Sequence, residues 1–137
     1  LDQSFEEKLI TENTNYTVRE LIEHMIIRSD NFATKILAEN MNVNVFQKLF
    51  EDLGMKKPDI YDSNIATTAT DVAKFFRVLY NASFLNADNS EYALSLLSQT
   101  TFREGMFKQL PTDIKAVHKF GEAGQVDEKQ LHEPAII

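Results

Sequence analysis

The sequence predicts an α+β fold: a mainly helical part over about residues 15–110, then a β-hairpin over about 115–137 that belongs to a larger antiparallel sheet. Three observations predict it. Apolar residues recur at helical spacing in successive segments as far as Leu97. After Pro111 the period changes, and "IKAVHKF" and "KQLHEPAII" alternate or run apolar in short stretches. Between those two stretches lies the polar "GEAGQVDE", with Gly121 and Gly124, which reads as the connection of a hairpin. Two strands alone are marginal and leave edges unpaired, so the remaining strands are expected outside this segment.

The first helix is expected from about Thr17 to Arg28. Thr17 and Glu20 have capping-box spacing, in which hydroxyl and carboxylate satisfy free amides of the first turn. Val18, Leu21, Ile22, Met25 and Ile26 form its apolar stripe. A second helix carries Phe32, Ala33, Ile36 and Leu37 on one face. A third turns Val45, Phe46, Leu49, Phe50 and Leu53 inward and stops at Gly54. The stretch from Met55 to Ala66, with Pro58 and several Asx residues, has no period and reads as a surface loop. Thr68 and Asp71 open a fourth helix whose Val72, Phe75, Phe76 and Leu79 are expected to be buried, and a fifth, shorter helix is expected from about Ser90 to Leu97. The 137 residues make one domain, and the apolar run ending the chain together with the absence of a starting Met suggests part of a larger one.

Bulk chemistry removes several function classes. With 21 acidic against 14 basic residues the net charge is −7, and no cluster of Lys and Arg is dense enough to follow a phosphate backbone, so nucleic acid is excluded as a partner. No apolar run approaches the roughly 18 residues of a membrane span. The absence of cysteine excludes disulfides and thiolate metal sites without identifying a compartment. His24, His118 and His132 lack the spacing of a metal site, although His118 and His132 are expected to face each other across the hairpin; no metal and no cofactor is implied. Asn15-Tyr16-Thr17 and Asn81-Ala82-Ser83 match a glycosylation pattern that is frequent by chance. Phe75, Phe76, Tyr80 and Phe84 are explained by a hydrophobic core.

Two short motifs carry chemistry. Ser29-Asp30-Asn31 stands at the joint between the first two helices, where one capping residue would suffice. Lys119 and Gly121, in "VHKFGE", lie late in a strand about ninety residues later. In these motifs the chain resembles the active-site serine hydrolases that include class A β-lactamases and penicillin-binding proteins, which carry S-x-x-K, S-D-N and K-[ST]-G in that order. "TTATDVAKFFRVLYNASFLN" is similar to the family's helix after the omega loop, and the likeness extends from about Tyr16 to Ile137.

The resemblance implies a serine acyl transferase acting on β-lactam, peptide or ester substrates outside the cytoplasm, at the cell envelope. It implies catalytic roles for Ser29, which returns a proton to the leaving nitrogen, and for Lys119, which supplies positive charge. It implies that Asn31 and Gly121 bind substrate and that Asp30 ties down the loop. The sequence departs from the pattern in three places. It contains no S-x-x-K, so neither the nucleophile nor its lysine is present and the chain alone is expected to be inactive. Phe120 stands where the family carries Ser or Thr, and a phenyl ring makes no hydrogen bond to a carboxylate. The Met55 to Ala66 loop has no Glu-x-x-x-Asn; Asp59 and Asp62 are there, in positions that suit turns. Two other classes stay open: a non-catalytic binding or scaffold module with this fold, and a helical interaction protein in which the S-D-N triplet is only a cap.

Overall fold

The structure is a computed structural model describing residues 9–59, 67–111, 113–125 and 128–137. Among these residues it has five α-helices, α1 (Val18–Ile27), α2 (Asn31–Asn40), α3 (Val43–Asp52), α4 (Ala69–Tyr80) and α5 (Ala87–Ser98). A 3-10 turn (Met106–Gln109) and four short strands follow, β1 (Val117–His118), β2 (Gly121–Gln125), β3 (Glu128–His132) and β4 (Ala135–Ile136). The class is α+β, as expected, with the helices first and a small antiparallel sheet after them.

Each long helix begins on a polar side chain that accepts a first-turn amide. Thr17 and Glu20 form the expected reciprocal capping box of α1, with the Glu20 carboxylate 2.7 Å from the Thr17 N–H; those bonds hold the carboxyl below its ordinary value. Asp30, Asn42, Thr68 and Asn86 cap α2 to α5. The Asn86 cap starts α5 at Ala87, a turn before the expected Ser90. Gly54 ends α3 with a φ of 64°, a left-handed position that a glycine takes without a Cβ clash.

α1 packs on α2 and α5, and α5 also packs on α4 and on β1. Leu21, Ala33, Leu96, Leu97, Phe102, Phe107 and Ala116 are buried there. α3 and α4 differ from expectation. Neither has a buried residue, Val45 is 66% exposed rather than inward, and Val72, Phe75, Phe76 and Leu79 are only half-buried. Phe32 of α2 is also exposed. Within α3 the Phe46 and Phe50 rings meet edge-to-face at 5.1 Å, Phe50 meets Phe75 of α4 in the same way at 5.6 Å, and the remaining apolar faces of the two helices line an open cavity.

The hairpin forms, but its connection is shorter than expected. Most of "GEAGQVDE" is strand: β2 pairs with β3 from Gly121↔His132 to Gln125↔Glu128, and residues 126–127 lie outside the described residues. β1 and β4 continue the same register with Val117↔Ile136 and His118↔Ala135. The two ladders are interrupted where Lys119 and Phe120 lie opposite Glu133 and Pro134. Proline has no N–H to give a ladder, and the Lys119 N–H donates to the Pro134 C=O across the gap at 3.2 Å. This register also separates two histidines: His118 lies opposite Ala135 and His132 opposite Gly121, so they do not face each other.

Candidate functional site

The joint between α1 and α2 is built around a fully buried carboxylate. Asp30 Oδ1 accepts the Phe32 and Ala33 amides at 2.8 and 3.0 Å, and Oδ2 accepts the Ile10 amide at 2.7 Å. One side chain thus caps α2 and anchors the strand-like segment before α1. The His24 ring lies beside it, with Nδ1 3.8 Å from Oδ2, beyond hydrogen-bond reach.

α1 closes with the Arg28 and Asp30 amides both donating to the His24 carbonyl, at 3.1 and 3.2 Å. That closure needs a left-handed residue between them, and Ser29 supplies it with a φ of 54°. Asn31 follows as the first residue of α2 and is half-buried.

The strand side supplies the cation. Alternation along β1 puts Ala116 and His118 on the buried face and Lys119 on the other. The Lys119 amine donates to the Ser29 hydroxyl, joining positions 90 residues apart, and to the Phe120 carbonyl at 3.0 Å. Burial of the amine pushes its pKa down to about 8. Of the five residues singled out in the sequence, the structure thus joins Ser29 to Lys119 directly and places Asp30 beneath them. Gly121 starts β2, and the His132 ring fills the space a Cβ would need, with Nε2 2.2 Å from that position.

Phe120 stacks on the buried ring of Phe102 with centroids 4.0 Å apart and planes 15° from parallel, and the Lys119 amine is 4.8 Å from the Phe120 centroid. A cavity of about 1160 Å3 opens from here, bounded by Lys119, Phe120 and His132 at one end and by Leu49, Phe76 and Leu79 along its wall. Asp59 is exposed, and Asp62 lies outside the described residues. Among the described residues no group of three or more His, Cys, Asp or Glu is placed to hold a metal ion.

Sequence reasoning missed one element. Behind Lys119, His118 Nδ1 is 3.0 Å from Glu133 Oε1, with both side chains about 95% buried, at 4% and 5% exposure. Glu133 Oε2 accepts the Met106 amide at 2.6 Å. Burial pushes the His118 pKa down, against the opposing pull of Glu133. The available signal was a lone acid inside the apolar run "LHEPAII", since a charge in such a place requires a partner.

A helical region against an antiparallel hairpin, with an S-D-N joint meeting a strand lysine, defines a β-lactamase-type architecture. The chain belongs to the β-lactamase enzyme family, whose model matches residues 6–137. No curated protein matches it significantly. Among solved structures it is similar to PBP-A, with 18% identity and a TM-score of 0.70 over 92% of this chain and 54% of that one. It is similar to a β-lactamase from Streptosporangium roseum, with 20% identity and a TM-score of 0.73 over 90% and 51%. A third is a class A β-lactamase from Bacteroides cellulosilyticus DSM 14838, with 22% identity and a TM-score of 0.56 over 85% and 51%. The chain spans about half the length of the structures it matches. Among the described residues no helix is long and apolar enough to cross a membrane.

Proposed function

We propose that this chain is the S-D-N and lysine-strand portion of a serine acyl transferase of the cell envelope, acting on β-lactam or cell-wall peptide amides. The observation that carries it is the Lys119 amine bonded to the Ser29 hydroxyl across the joint. The nucleophilic serine and its lysine come from polypeptide outside these 137 residues, and the apolar cavity bounded by α3, α4 and Lys119 is where that element seats. A mutant of PBP-A is known as an acyl-enzyme complex with penicillin G, which makes a penicillin the appropriate probe.

In this scheme the nucleophilic serine gives its proton to its own lysine as its oxygen bonds to the amide carbonyl carbon, and the C–N bond breaks. The leaving nitrogen takes the Ser29 hydroxyl proton, and Ser29 takes one from the Lys119 ammonium. An amine titrating near 8 exchanges protons in both directions near neutral pH. Its charge, held in a site that excludes water, stabilises the anion formed in the transition state. Asn31 and Gly121 hold the substrate amide and backbone, while Asp30 maintains the loop.

The test is labelling of the full-length protein with a fluorescent penicillin. Labelling that falls at least tenfold in Ser29→Gly and Lys119→Ala supports the proposal; labelling indifferent to both overturns it. The 137-residue chain alone is expected to take no label. A non-catalytic binding module is the alternative, favoured by the Phe120 ring stacked on Phe102 where a hydroxyl would serve a carboxylate substrate. Binding of a penicillin without covalent labelling would select it.

A further inference from the structure

We infer that His118 and Glu133 are positioning residues that set where the Lys119 amine stands relative to Ser29. The inference rests on the acyl-transfer proposal for its functional meaning and on this chain's own geometry for its content.

His118 immediately precedes Lys119, and Glu133 immediately precedes Pro134, whose carbonyl accepts the Lys119 backbone N–H. The pair therefore brackets the gap in the ladder at which regular strand pairing releases Lys119. With the ladder broken by Pro134, backbone pairing is thinned at this point, where the Lys119 N–H donates to the Pro134 carbonyl. The side chains supply the rest. His118 Nδ1 to Glu133 Oε1 joins the two strands across the gap, and the Met106 amide donating to Glu133 Oε2 joins them to the start of the 3-10 turn. The Phe107 ring lies against His118 at 4.3 Å, and the Thr100 hydroxyl donates to the His118 carbonyl at 3.3 Å.

Gly105 is part of the same device. A Cβ on it would stand 2.2 Å from Glu133 Oε2, so only glycine lets the segment approach the carboxylate. With burial disfavouring the imidazolium, His118 donates from Nδ1–H as a neutral ring, and the tautomer is set by Glu133. Among the described residues, the ionisable groups that act on His118 are Glu133, Arg103 and Lys119, and Lys119 shares the cavity wall with His132 and Glu133. A buried carboxylate at this place is costly unless all its bonds are made, which makes the clamp sensitive to loss of either partner.

The test reads the amine directly, by following the Lys119 side-chain carbon shifts against pH in selectively labelled protein. Wild type is expected to titrate near 8, because burial disfavours the charged amine. Glu133→Ala and His118→Ala release the strand, let water reach the amine, and move its titration at least one pH unit upward. Glu133→Gln and His118→Asn, which retain a donor and an acceptor in place, stay within half a unit of wild type. Gly105→Ala, which displaces the carboxylate without changing either residue of the pair, behaves like Glu133→Ala and serves if the other variants fail to fold. Titration unchanged in every folded variant overturns the inference. Penicillin labelling of the full-length variants separates the two proposals. Shifted titration with label lost in step supports both, whereas shifted titration in a protein that takes no label leaves the positioning intact and removes the acyl-transfer proposal.

Discussion

The joint at Ser29 to Asn31 and the wall formed by α3 and α4 are both made of well-capped helices, yet one is closed and the other open. At the joint every constraint is internal to the described chain: Asp30 is fully buried with three amides on it, and Lys119 reaches across to Ser29. Along the wall, residues of equal or greater hydrophobicity stay half-exposed around a cavity of about 1160 Å3. Polar geometry here is thus satisfied locally by caps and a single long-range bond, while apolar faces need a large partner before they are satisfied.

The sharpest contrast pairs two phenylalanines. Phe107→Ala removes a ring that is 2% exposed and should cost about 3–4 kcal/mol, whereas Phe76→Ala on the half-open wall should cost about 1 kcal/mol. Equal losses in urea denaturation would show that the wall is packed in solution. Next, Asp30→Ala strips three amides of their acceptor and should cost about 2–3 kcal/mol, with Asp30→Asn recovering much of it through the cap.

Lys119 gives a smaller, pH-dependent effect. Below pH 8 the folded and unfolded states both carry the charge, so folding bears the full desolvation penalty. Between pH 8 and the ordinary 10.5 the folded state loses its proton first, and the penalty disappears as pH rises. Lys119→Met should therefore be more stable than wild type at pH 7 by on the order of 1–2 kcal/mol after allowing for partial solvent screening, with the advantage shrinking towards pH 10.5. A pH-independent difference would mean that the amine is solvated. The smallest effect belongs to Val45→Glu on the outer face of α3, expected within about 0.5 kcal/mol in thermal denaturation because the side chain is 66% exposed.

These comparisons also locate what could be read from residues alone. Helix starts were readable wherever a side chain caps its own first turn, as at Thr17 and Thr68, because that signal spans three residues. Burial was less so: periodicity shows which face of α3 and α4 is apolar and carries no information on what covers it. The hairpin ladder was misjudged because polar, glycine-bearing "GEAGQ" pairs through its backbone, to which side-chain pattern is blind. Ser29 and Lys119 could be singled out by motif, and the structure joins them. The His118 and Glu133 pair stayed hidden because it depends on register, and on Pro134 interrupting the ladder between them.

The left-handed backbone at Ser29 bears on how this hydroxyl should be removed by mutagenesis. At a φ of 54° any L-residue carries a steric cost that glycine does not, on the order of 1 kcal/mol. Alanine keeps the same cost that serine bears while deleting the bond to Lys119, and so isolates the chemical effect. Glycine deletes the hydroxyl and relaxes the turn at once, so the difference between Ser29→Gly and Ser29→Ala reads the backbone cost, and the reactivity lost in both reads the oxygen atom itself.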